Sequence, residues 1–150
     1  RGEMTMDEFN TELGSRFGVD SFDWQQHYMD AVEPIAAMQE LTAWVGQHYK
    51  IGLLSNIMPG FIPQMIQTGL LPDIDYDAVI DSSQVQSIKP EDAIYTEAEK
   101  HSGVQPSQIL FIDDSRTNLM AAERRGWKVM WFDDYRPEDS ANRIKQSLEF

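Results

Sequence analysis

The chain has 150 residues, enough for one domain with a small lobe attached, and 41% of them are hydrophobic, which excludes disorder as its main state. Twelve Lys and Arg against 25 Asp and Glu give a net charge of −13, so nucleic-acid phosphates and anionic membranes are disfavoured partners. Cysteine is absent, which removes disulfides, thiolate catalysis and Cys-based zinc; the apolar runs are too short to cross a bilayer and no signal peptide is visible, which predicts a soluble, cytoplasmic protein.

In chain order, the first expected elements are helices. Thr5-Met6-Asp7-Glu8 forms a capping box, in which a hydroxyl and a carboxylate satisfy free amides at a helix start. Phe9, Leu13 and Phe17 then share one helical face, and Gly18 suits the stop. A second short helix is expected from Ser21 to about Val32, carrying Phe22, Trp24 and Tyr28. Pro34 opens a third helix at its first position, with Ile35, Met38, Leu41 and Val45 at helical spacing. From Tyr49 onward, short apolar runs alternate with helical segments. The strand candidates are Lys50–Leu54, Asp77–Ile80, Gln108–Asp113 and Lys128–Phe132, with helices at about 59–69, 90–102 and 116–125 and a last one after Pro137. Strands alternating with helices predict an α/β class with an open, Rossmann-like parallel sheet and right-handed crossovers. Residues 1–33 are assigned to a small helical lobe and 34–150 to the α/β core.

In an open parallel sheet, ligands bind beyond the carboxyl ends of the strands. Ser55-Asn56 follows the first strand candidate, Asp113-Asp114-Ser115 follows the third, and Lys89-Pro90 precedes the helix after the second. A hydroxyl, an amide, a lysine and two adjacent carboxylates are therefore expected on one rim. Each also has a plain reading: Ser55-Asn56 as a turn, Lys89 as a solvated side chain, one aspartate as a cap for the helix near Arg116. A cap requires one acid, however, and two adjacent carboxylates attract a cation. Their hard oxygens suit Mg²⁺, and Mg²⁺ beside a lysine and a hydroxyl suits a phosphoryl group.

The ordered set Leu-Leu-Ser55-Asn56, Ser87-Ile-Lys89-Pro90-Glu-Asp-Ala-Ile-Tyr95 and Ile-Leu-Phe-Ile-Asp113-Asp114-Ser-Arg-Thr-Asn118, with Gly126 following, resembles the haloacid dehalogenase superfamily. The resemblance is to the branch with a helical cap after the first core strand, which includes glycosyl-phosphate phosphatases and the phosphatase lobe of soluble epoxide hydrolases. It implies a Mg²⁺-dependent hydrolase of phosphate monoesters working through an aspartyl-phosphate. Ser55 would hydrogen-bond the phosphoryl group, Asn56 would shape that pocket partly through its backbone amide, and Lys89 would neutralise the phosphoryl charge. Asp114 would be the metal ligand, assisted by Asp113, while Asn118 stands where some members have an acid. The small phosphorylated substrate would lie under a cap built around Phe9, Trp24 and Tyr28. His27, His48 and His101 match none of these motifs.

The superfamily's Asp-x-Asp, whose first acid attacks phosphorus, is not found at the end of a strand here. Asp73-Ile-Asp75 precedes a strand, and Asp133-Asp134 has the wrong spacing. The resemblance places that motif ahead of Arg1, on a central strand between those ending at Ser55 and Asp113. The chain alone is then expected to be inactive, with its slot filled by a bound N-terminal fragment or a second copy in preference to closing on itself. Two alternatives stand beside the phosphatase: a 2-haloacid dehalogenase, which shares Ser-Asn and Lys but needs no acidic pair, and a non-catalytic binding module of the same fold.

Overall fold

The computed structural model describes residues 2–149. Its elements in chain order are α1 (Met6–Phe17), α2 (Trp24–Ala31), α3 (Ala36–His48), β1 (Gly52–Ser55), α4 (Phe61–Gln67), β2 (Ala78–Asp81), α5 (Ser82–Val85), α6 (Asp92–Ser102), β3 (Leu110–Asp113), α7 (Arg116–Arg124), β4 (Lys128–Trp131) and α8 (Pro137–Leu148). A 3-10 turn at Pro106–Gln108 takes the beginning of the third expected strand.

The α1 capping box forms as expected: the Thr5 hydroxyl accepts from the Glu8 amide at 3.2 Å, and the Glu8 carboxylate accepts from the Thr5 amide at 2.8 Å. Gly18 closes the helix at φ +67°, a left-handed conformation in which a side chain would be strained. Phe17, on that face, packs on Phe22 at 6.2 Å between ring centroids and is 68% exposed. One expectation in this region is corrected. Pro34 lies ahead of α3 instead of at its first position. Ile35 is the extended residue whose carbonyl accepts the first helical amides, from Met38 and Gln39.

The core strands are parallel, in two pairs. β1 pairs with β2, Ser55 opposite Asp81, and β3 pairs with β4, Asp113 opposite Trp131. Among the described residues no ladder joins β1 to β3, so the sheet has not closed up. Helices cover both faces, and alternation along the strands decides which residue meets which. Phe111, Val129 and Trp131 face a cluster with Ile94 and Tyr95 of α6 and Leu119 and Ala122 of α7. Ile112 and Met130 face the opposite cluster, built on Leu41 of α3 and Ala141 and Ile144 of α8. The architecture is therefore the expected α/β fold, helices on either side of parallel strands. Helix α2 meets α4 through Tyr28 against Phe61, ring centroids 5.2 Å apart, and a 3.2 Å hydrogen bond from the Gln25 side-chain amide to the Gly60 carbonyl, while α1 packs on α2 through Phe9 against Trp24. None of the helices among the described residues is long and apolar enough to cross a membrane.

Candidate active site

Parallel strands carry their carboxyl ends to one side, so Ser55, Asp81, Asp113 and Trp131 end β1 to β4 along one rim. Lys89, in the loop between α5 and α6, joins them. Its ammonium donates to Asp113 Oδ2 at 2.7 Å and lies 5.4 Å from the centre of the Phe111 ring. The pair is well shielded, with side-chain exposures of 11% and 5%. A buried ion pair is favourable only if its remaining lone pairs are satisfied. Here they are: Asp113 Oδ1 accepts from the Ser115 amide at 2.8 Å and from Asn118 Nδ2 at 3.0 Å. Asn118 therefore supports Asp113 as a donor.

The amide of Asn56 fixes Lys89 from its other side. Asn56 Oδ1 accepts from the Lys89 amide at 2.7 Å, and Asn56 Nδ2 donates to the Lys89 carbonyl at 3.0 Å. Both ends of the Asn56 side-chain amide therefore clamp the Lys89 backbone. Beneath this loop the buried Ser82 hydroxyl accepts from the Ile57 amide at 3.0 Å and donates to the Ile57 carbonyl at 3.1 Å. Beneath β3 the fully buried Tyr95 donates from its hydroxyl to the Asn118 carbonyl at 2.9 Å. Burial, and secondly the Asp113 charge, push the Tyr95 hydroxyl up to about 12, against a smaller opposing effect of Arg125.

Against these committed groups, two stand free. Among the described residues the Ser55 hydroxyl and the Asp114 carboxylate make no hydrogen bond or ion pair, and Asp114 is exposed. Asp114 is held by its carbonyl, which accepts from Trp131 Nε1 at 2.8 Å, and Arg116 stacks 4.8 Å over the Trp131 ring. The acidic pair is thus divided. Asp113 neutralises Lys89 and steadies the chain before α7; Asp114 offers unspent hard oxygen. The described residues contain no group of three His, Cys, Asp or Glu able to hold a metal. One free carboxylate beside a second one is the chemistry Mg²⁺ accepts when phosphate and water complete its shell. His27 packs on Phe22, His48 stacks on Trp44, and His101 bonds the Glu97 carbonyl, all outside this set.

Ser82 and Tyr95 were missed as site-supporting residues. For Ser82 the available signal was a small hydroxyl residue directly after a strand end; for Tyr95 it was its place within the quoted motif.

A family model described as haloacid dehalogenase-like hydrolase matches residues 2–132. An (S)-2-haloacid dehalogenase of Pseudomonas fluorescens is 30% identical over 81 residues, 54% of this chain and 35% of that protein. The chain therefore aligns with well under half the length of the curated relatives it matches. A predicted HAD-like family hydrolase from Porphyromonas gingivalis superposes with a TM-score of 0.75 and 28% identity, covering 99% of this chain and 76% of that one. A HAD family enzyme from Bacteroides thetaiotaomicron, crystallised with magnesium and inorganic phosphate, superposes with a TM-score of 0.76 over 88% of this chain and 72% of its own; at 20% identity this likeness bears on fold alone.

Proposed function

Since the chain belongs to the haloacid dehalogenase-like hydrolases, we propose that it is the greater part of a Mg²⁺-dependent phosphomonoester hydrolase. One observation carries this reading: a free hydroxyl (Ser55) and a free carboxylate (Asp114) share a rim with a lysine whose charge is already balanced by Asp113. A phosphoryl group fits such a rim. The Ser55 hydroxyl donates to one of its oxygens, and Lys89, fixed in place by Asn56 and Asp113, supplies positive charge without having to reorganise. Asp114, with Asp113, would hold Mg²⁺, which in such sites neutralises charge on phosphate oxygens.

The nucleophile is proposed to be an aspartate on a strand between β1 and β3, contributed by a segment outside this chain. Its carboxylate oxygen forms a bond to phosphorus as the ester P–O bond breaks, and the departing alkoxide takes a proton from a second acid. Water, giving a proton to the second acid now present as its carboxylate, then attacks the phosphorus of the aspartyl-phosphate and releases orthophosphate, regenerating both groups. Residues 1–33 would serve as part of a cap over the small phosphorylated substrate, and 34–150 as the core. The segment that fills the slot would be a bound N-terminal piece or a second copy of the chain.

The test is an assay with p-nitrophenyl phosphate and Mg²⁺. The 150-residue chain alone should not turn over; the chain joined to a segment carrying the Asp-x-Asp strand should. Turnover by the chain alone that disappears in Lys89→Ala would place a nucleophile within these residues and overturn the reading. A second reading is 2-haloacid dehalogenation, favoured by the 30% identity to the Pseudomonas enzymes and by Ser55, Asn56 and Lys89. Against it stands the acidic pair Asp113-Asp114, which suits a metal that dehalogenation does not need. Release of halide from a 2-haloacid without metal, in place of phosphate release, would decide for it.

A further inference from the structure

The loop that carries Ser55 and Asn56 is fixed by a contact the proposed chemistry does not itself use. Ser82 is 1% exposed, and its hydroxyl bonds both the amide and the carbonyl of Ile57. The β1–β2 ladder ends at Ser55 opposite Asp81. The Ser82 hydroxyl continues it by one further rung, with a side chain in place of backbone. Asp81 holds the base of this contact, its Oδ1 accepting from both the amide and the hydroxyl of Ser83 at 2.7 Å. One residue before Ile57, the Asn56 side chain makes an equally two-pronged contact with the Lys89 backbone. A chain of contacts therefore runs from Ser82 through Ile57 and Asn56 to Lys89, and on to Asp113.

We propose that Ser82 is a positioning residue for the Ser55–Asn56 loop and, through Asn56, for Lys89. The physical reason is that the Ile57 amide and carbonyl lie in a part-buried loop, where unpaired backbone groups are costly. Without the hydroxyl they must turn toward water or toward new partners, and the loop turns with them. Asn56 then loses the geometry in which both ends of its amide meet Lys89. The lysine, held on its remaining side only by Asp113 and the Phe111 ring, spends more time open to solvent. The inference deepens the reading of this rim as the active site and rests on it for its functional meaning.

The structure supplies a matched control. The Ser140 hydroxyl makes the same two-pronged contact with Asp133, accepting from its amide at 2.9 Å and donating to its carbonyl at 3.3 Å, and Ser140 is 2% exposed. It lies in α8, after β4, and takes no part in the contacts that reach Lys89. Ser82→Ala and Ser140→Ala therefore remove the same chemistry from two places. The test is acetylation of lysine amines under native conditions, followed residue by residue by mass spectrometry, with Lys50, Lys100 and Lys128 as exposed references. In Ser82→Ala the relative rate at Lys89 should rise about fivefold or more, as expected when a local opening becomes more populated. Ser140→Ala should leave it unchanged, and Ser82→Thr, which returns the hydroxyl, should bring it back toward the starting value. An unchanged Lys89 rate in Ser82→Ala, or an equal rise in both alanine variants, overturns the proposal. Should the alanine variant not fold, Ser82→Cys, which keeps the volume and weakens the hydrogen bonds, puts the same question with the same two outcomes. The labelling requires neither phosphate nor metal, so a failed hydrolysis assay and a failed positioning role are separate results.

Discussion

Lys89 and Asp113 each depend on the other for being buried. Lys89→Met leaves Asp113 charged and short of its strongest partner, and loss of one member of a shielded pair costs about 3 kcal/mol. The midpoint of urea unfolding should fall accordingly, whereas Ser55→Ala, which removes a hydroxyl with no partner, should leave it in place. The two aspartates should also separate in metal binding. By isothermal titration with Mg²⁺, Asp114→Asn should lose more affinity than Asp113→Asn, because only Asp114 has a carboxylate to spare; equal or reversed effects would mean that the ligand roles are misassigned. Tyr95 gives a pH-dependent prediction. Its folded value of about 12 lies above the ordinary tyrosine value of about 10, so its contribution to stability is complete below about pH 10 and is lost as pH rises through about 12. Tyr95→Phe should flatten the fall in thermal midpoint across that window. These residues differ in how visible they were beforehand. Ser55, Lys89 and the acidic pair could be placed because strand ends and helix starts mark where such groups gather. The Asn56–Lys89 and Ser82–Ile57 contacts join residues 33 and 25 apart in sequence, and no periodicity encodes a pairing at that separation.

At the level of elements, α6 is fastened to the turn after α7 by a set of charges. The Arg125 guanidinium donates to Glu99 at 2.9 and 2.7 Å and to Thr96 at 2.9 Å, and Trp127 Nε1 also donates to Glu99 at 2.9 Å. Donation from Arg125, and then from Trp127, holds the Glu99 carboxyl below its usual value, with burial opposing. A lowered folded value means that this stability is present above the ordinary glutamate range and is lost as pH falls through the folded value. Glu99→Gln should therefore make acid unfolding less steep, and Arg125→Ala should cost about 2 kcal/mol by urea unfolding near neutral pH. Strand and helix order was legible because short apolar runs and helix start signals are local. What was not legible follows from the same fact. α5 is only four residues long, too short to show a helical period. The face of Phe9, Leu13 and Phe17 has the spacing of a buried stripe, yet spacing cannot tell how far along the helix a covering element extends.

In the whole molecule, β1 and β3 each have a ladder partner on one side only, among the described residues. An unpaired parallel edge is a template for another strand, and a filled slot is proposed over a closed one. Sedimentation velocity of the chain over about a hundredfold range of concentration should show either growth of a dimer or, with a peptide of the missing strand added, a monomer with a raised thermal midpoint. A monomer indifferent to both would sink the slot-filling proposal. Below the two strand pairs, however, the packing is continuous. The side chains around Tyr95 include Leu54 from β1, Ile80 from β2, Phe111 from β3 and Val129 from β4, with Ile94 of α6 among them. Helix α6 thus acts as a keel under both halves of a divided deck. The consequence is cooperativity: neither half can melt while the other keeps its floor, so circular dichroism and tryptophan emission should trace one coincident transition, and the calorimetric and van't Hoff enthalpies should agree.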